Sequence, residues 1–184
     1  MGLGNPGREY EQTRHNAGFM VIDELARRLN VASFRNKDGA LQALVSTHNV
    51  VLLKPQSYMN LSGEPTRKIA AWYRTPVERI LVISDDMDIP FGSLRLRASG
   101  GHGGHNGLRS LIDHFGNEFP RLRIGVGRPA YESIDHVLSP FSSDERIGLP
   151  SVIDAAATVA LQWLDDGLTK ATQSANSWRI KSAD

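Results

Sequence analysis

Ile80-Leu81-Val82-Ile83, four apolar residues stopped by Ser84-Asp85-Asp86, restricts the fold more than any other stretch. An apolar run without polar alternation reads as a strand buried on both faces, which obliges the chain to lay other elements over each side. Its C-terminal end presents carboxylates, and sites in α/β proteins form at such strand ends. The remaining patterns supply the covering layers. Phe19, Ile22, Leu25, Ala26 and Leu29 recur three to four residues apart, with Asp23, Glu24, Arg27 and Arg28 opposite, which predicts an amphipathic helix. Ala40–Ser46 and Val50–Leu53 flank Thr47-His48-Asn49 as a hairpin, and a short helix is expected between Leu61 and Trp72. Alternation in Ser93–Arg97 points Arg95 and Arg97 to one side of a strand. A helix from about His105 to Phe115 and a strand over Leu122–Val126 follow. A long helix then opens at Ser142, with Glu145 at the capping-box spacing, and closes at Gly167. Alternating strands and helices give an α/β protein, and 184 residues suit a single domain, residues 1–184.

Composition removes several functions. A net charge of +1 argues against a broad basic surface but leaves room for a local basic clamp. Cysteine is absent, which excludes disulfides and thiolate chemistry. No signal peptide is visible, and the most apolar stretches, Ile80–Ile83 and Ala155–Leu164, are too short for a bilayer, so the expected place is the cytoplasm, with no membrane partner. Gly2, Gly4 and Gly7 of GLGNPG fit G-x-G-x-x-G. That fingerprint needs a strand before it and an acidic residue about twenty positions on. One residue precedes Gly2, and Asp23 and Glu24 lie in the helical pattern, so no dinucleotide cofactor is expected. Neither G-x-S-x-G nor G-x-x-x-x-G-K-[ST] occurs. His102 and His105 sit in a glycine loop without H-E-x-x-H, so no metal is expected either.

Asn5, His15, Asn16, Asn60, Asp85, His105 and Asn106 form a polar set at loop and strand-end positions. A carboxylate beside a histidine fixes its tautomer and supports its charge, so an Asp85–His15 pair would make a general base. Each residue also suits a plainer role: His15 as a surface residue near a helix start, Asp85 and Asp86 in a turn, Asn5 and Asn16 as turn or cap residues. His48, His114 and His136 read as structural or exposed.

GLGNPG, TRHNAG, MNLSG, ILVISDDMD, GGHGGHNGLRS and RLRIGVGRP occur in this order, and together they closely resemble the bacterial peptidyl-tRNA hydrolase family over essentially the whole chain. The resemblance implies a twisted mixed sheet flanked by helices. It also implies hydrolysis of the ester between a peptide and the 3′-terminal ribose of tRNA, without a cofactor. Residue by residue, it implies His15 as general base, Asp85 as its support and Asn60 as holder of the carbonyl or water. Asn5, Tyr10, Tyr58, Met59, His105 and Asn106 would bind substrate, and Arg95, Arg97 and Arg123 the acceptor stem and its 5′-phosphate. A monomer needing no protein partner is implied. Family members usually carry strand-forming residues ahead of GLGNPG, so the first strand is expected to be nearly missing here, at the expense of ladder hydrogen bonds. The segment Ala130–Val137 lacks the Lys-rich character of some relatives, which leaves its share of RNA contact open. Plant organelle splicing factors share this pattern as noncatalytic RNA-binding proteins, which keeps a binding role as the alternative.

Overall fold

The computed structural model describes residues 1–128 and 134–180. Residues 130–133 of the variable segment lie outside them. Six strands, β1 Arg35–Lys37, β2 Ala40–Val45, β3 Val50–Pro55, β4 Val82–Asp86, β5 Leu94–Arg97 and β6 Arg121–Gly125, form two three-stranded sheets. In one, β1, β2 and β3 are antiparallel neighbours; in the other, β6 lies between β4, to which it is parallel, and β5, to which it is antiparallel.

Residues 1–3 join the two sheets. Gly2 N–H donates to Leu53 C=O of β3 at 3.0 Å, while Ile83 N–H donates to Met1 C=O and Leu3 N–H to Ile83 C=O, both at 2.9 Å. Within the sheet these residues make one parallel bridge, Gly2 to Ile83. Their few bonds nonetheless occupy the central ladder, so backbone donors on both sides find partners.

Helices α1 Ala17–Arg28, α2 Gly63–Trp72, α3 Asn106–Phe115, α4 Ile134–Leu138, α5 Ser143–Asp166 and α6 Leu168–Ser177 complete the described fold. β4 is covered on both sides as its apolar run requires. Ile83 enters a large cluster with Ile22, Leu25, Val152, Ala156 and Ala171 from α1, α5 and α6. Its neighbour Val82 enters a second cluster with Leu3, Met59, Leu108 and Leu111, under α3. Strand β4 runs through Ser84 to Asp86 instead of stopping before them, so Asp85 is fixed by pairing with Ile124. The Ser142–Glu145 capping box is present and Gly167 caps the other end of α5. By length and composition this 24-residue helix could cross a membrane, contrary to the expectation drawn from its shorter apolar core. Its Val152, Ala156, Ala157, Val159 and Ala160 are instead buried in the main cluster, as in a core helix. β1, α4 and α6 had no clear signal: β1 is three exposed polar residues, and α6 buries only Ala171 and Ala175.

Gly18 shows why TRHNAG places a glycine at the start of α1. A Cβ there would lie 2.4 Å from Ile83 O and 2.5 Å from Leu3 N, so α1 approaches the sheet backbone more closely than any side chain permits. That approach carries the preceding turn, with His15, to the end of β4.

Candidate active site

His15 sits in a single 3₁₀ turn, Arg14–Asn16, clamped from both sides. Behind it, the buried Arg14 donates to the carbonyls of His136, Ser139 and Pro140 at 3.3, 3.2 and 2.7 Å and pairs with Glu145 at 2.5 Å. Ahead of it, Asn16 clasps the backbone of Asn5. Its Oδ1 accepts from Asn5 N–H and its Nδ2 donates to Asn5 C=O, both at 2.9 Å. The sequence suggested only a turn or cap for Asn16; its adjacency to His15 was the available signal for this role.

His15 Nδ1 lies 2.9 Å from Asp85 Oδ1, with both residues buried. The expected pair is therefore formed. An imidazole that donates through Nδ1 keeps a lone pair on Nε2, which has no protein partner among the described residues and belongs to a ring lining the cleft. The same Asp85 oxygen is 3.1 Å from His105 Nε2. Burial would push the Asp85 carboxyl up, but attraction to the His15 and His105 rings and their hydrogen bonds override it and hold it well below the ordinary carboxylate range.

Asn5 is oriented from the other side. Its Oδ1 accepts from Met59 N–H at 2.8 Å, so its Nδ2 is left as a donor. Met59 is buried beneath the site, where a Cβ on Gly107 would meet its Sδ at 2.5 Å. Asn60 and Asn106 are exposed at the starts of a 3₁₀ turn and of α3, and both line the cleft with Tyr58. The cleft encloses about 650 Å³ and continues past Arg109 and Asp113 to Arg128 and Leu138. Tyr10 does not line it; its carbonyl accepts from Thr13 in the turn before His15. His105, expected to touch substrate, has both ring nitrogens occupied by the protein, because its Nδ1 accepts from the N–H groups of Gly107 and Leu108. The His15, Asp85 and His105 ligand atoms fall within 4.8 Å of one another, close enough to hold a metal ion. Here the carboxylate oxygen is already shared by the two rings and His105 caps α3 with its other nitrogen.

Arg95 and Arg97 extend from β5, exposed and on one face, as the alternation predicts. Register places Arg95 opposite Arg123 and Arg97 opposite Arg121, so four arginines share that face. Arg123 lines the cleft and pairs with Asp86 at 3.1 Å. Arg121 is fully buried and has no carboxylate partner among the described ion pairs. It donates to the carbonyls of Gly100, of Gly101 at 3.1 Å and of Asn117 at 2.8 Å, so it pins the base of the glycine loop. Burial, and then the neighbouring Arg123 charge, lower its guanidinium to about 10, still charged at neutral pH. The sequence reading overlooked Arg121, although its alternation with Arg123 was visible.

A buried histidine–carboxylate pair at a strand end, opening on a cleft lined by the amides of Asn5, Asn60 and Asn106, marks this α/β protein as an enzyme. The chain belongs to the peptidyl-tRNA hydrolase family, whose sequence model matches residues 1–183. It is 47% identical over 184 residues to the peptidyl-tRNA hydrolase of Bacillus cereus, covering 96% of this chain and 98% of that one. It is 46% identical to that of Carboxydothermus hydrogenoformans, covering 92% and 93%. The crystal structure of peptidyl-tRNA hydrolase from Acinetobacter baumannii superposes with a TM-score of 0.90 at 37% identity, over 97% of this chain and 93% of that one.

Proposed function

We propose that the protein hydrolyses peptidyl-tRNA at the ester joining the peptide to the 3′-terminal ribose, with His15 as general base. The observation that carries this assignment is the 2.9 Å contact between His15 Nδ1 and Asp85, which leaves Nε2 available to the cleft. A water held by Nε2 attacks the ester carbonyl while Nε2 takes its proton. The resulting imidazolium is stabilised by the Asp85 carboxylate, and the tetrahedral intermediate collapses when His15 returns the proton to the departing ribose oxygen. The products are the peptide acid and free tRNA. Asn5 Nδ2 and the Asn60 amide supply donors for the developing oxyanion, each donor being worth about 3–4 kcal/mol. Tyr58, Met59 and Asn106 form the walls for the peptide and terminal nucleotide. Arg95, Arg97 and Arg123 hold the acceptor stem, because guanidinium forks match phosphate geometry. A few such contacts reconcile RNA binding with a net charge of +1. We place the enzyme in the cytoplasm as a single-domain monomer working without a cofactor or protein partner.

The test is release of tRNA from an N-blocked aminoacyl-tRNA by the wild type and by His15→Ala, with unblocked aminoacyl-tRNA as control. Cleavage of the blocked substrate that the variant loses supports the assignment. A folded protein that binds tRNA without cleaving it would favour the RNA-binding alternative.

A further inference from the structure

We propose that His105 is a positioning residue of the hydrolytic centre, a fixed neutral donor that holds the Asp85 carboxylate in place and shares the oxygen that supports His15. This rests on the general-base reading of His15.

The geometry assigns the hydrogen on each His105 nitrogen. A backbone N–H can only donate, and Nδ1 faces two of them, Gly107 at 3.1 Å and Leu108 at 3.3 Å. Nδ1 therefore carries no hydrogen, and the ring's one hydrogen is on Nε2, directed at Asp85 Oδ1 3.1 Å away. A second proton on this ring would face those two N–H groups and uncap α3. His15 donates to the same oxygen at 2.9 Å from a ring whose centroid is 4.8 Å from that of His105. Two donors from separate elements, the turn before α1 and the cap of α3, thus fix one carboxylate. Asp85 is buried, so the protein must supply these donors.

Two consequences follow. Of the two rings against Asp85, only His15 can take up a proton without breaking a helix cap, which directs the proton from water to Nε2 of His15. Sharing the oxygen also weakens the hold of Asp85 on a protonated His15, a smaller effect than the loss of aim when a carboxylate fixed by two donors keeps only one. The other charged and titratable groups at this centre are Asp86 paired with Arg123, Asp88 paired with Arg128, Arg109, Asp113 and His102. None of them is a hydrogen-bond partner of the His105 side chain, whose partners among the described residues are Asp85 and the N–H groups of Gly107 and Leu108.

His105→Asn separates the two roles. An Asn oxygen takes the place of Nδ1 and caps α3 well, but no donor reaches Asp85. His105→Gln extends a donor toward Asp85. Melting, kcat and KM for N-blocked aminoacyl-tRNA, and the pH profile of kcat/KM are measured for the wild type, both variants and His15→Ala. The expected result for His105→Asn is a cooperative melting curve lowered by no more than the loss of one hydrogen bond to Asp85, an unchanged KM and a kcat lower by roughly tenfold to a hundredfold, part of a general-base contribution. Its acidic limb should move up by roughly half a unit to one unit, the effect of one competing hydrogen bond. His105→Gln should recover part of both. An unchanged kcat and acidic limb in a folded His105→Asn would reduce His105 to a helix cap, and a loss confined to KM would make it a substrate contact; either overturns the proposal. Full activity in His15→Ala would instead overturn the general-base reading beneath it.

Discussion

Replacing Asp85 by Asn changes one atom of a carboxylate that two histidines share, and so isolates the role of its charge. The amide oxygen still accepts from His15 and His105, which lie 2.9 and 3.1 Å from Oδ1 in the wild type. What disappears is attraction to the imidazolium formed as water loses its proton. With charge centres about 4 Å apart and an effective dielectric near 20, that attraction is about 4 kcal/mol. At about 1.4 kcal/mol per factor of ten, kcat should fall by about a thousandfold. KM should change little, since the charge is needed in the transition state and not in binding. Asp85 is held below the ordinary carboxylate range, so its charge is present across the working range, and the loss is read on the plateau above the acidic limb. For stability the sign is the usual one for a depressed carboxyl. Its contribution is complete above the unfolded-state value and is lost only as strongly acid pH crosses the lowered one. At neutral pH, Asn forfeits that contribution but also sheds the burial of a charge, so melting should stay within about 3 °C of the wild type. Single-turnover cleavage of an N-blocked aminoacyl-tRNA with enzyme in excess reads the chemical step directly. A folded Asp85→Asn within about tenfold of the wild type would refute the electrostatic argument.

Asn16→Ala should orphan the N–H and C=O of Asn5 and cost about 2–5 kcal/mol, read from the urea midpoint; under about 1 kcal/mol would mean the clasp is replaceable. Gly18→Ala, with its Cβ 2.4 Å from Ile83 O, should lower stability by about 3 kcal/mol and kcat with it, because α1 and the His15 turn must move off the sheet. A wild-type melting temperature would count against that close approach. Arg95→Gln and Arg97→Gln should each reduce the slope of log affinity against log salt for tRNA by about one, whereas Arg123, already paired with Asp86, should give less; equal slopes for all proteins would remove the arginine face from RNA binding.

Local pattern made much of this protein legible. The apolar run ahead of Asp85 announced a strand covered on both faces because burial on two sides leaves no polar position. The heptad-like spacing from Phe19 to Leu29, the hairpin around Thr47-His48-Asn49 and the Ser142 capping box are likewise properties of neighbouring residues, and each lies within a few residues of its expected place. Six ordered motifs also made the family plain, with His15 and Asp85 among their residues. Distances between segments remote in the chain were decided elsewhere. That His15 and Asp85, 70 positions apart, meet at 2.9 Å depends on α1 lying close enough for Gly18 to touch the backbone of Ile83. That His105 lies 3.1 Å from the same Asp85 oxygen depends on where the start of α3 packs. The burial of Arg121 depends on loop carbonyls that no periodicity reveals. Sequence pattern reports which face of an element is apolar; which hydrogen on which nitrogen points at which oxygen is settled only when the packed elements have fixed every neighbour.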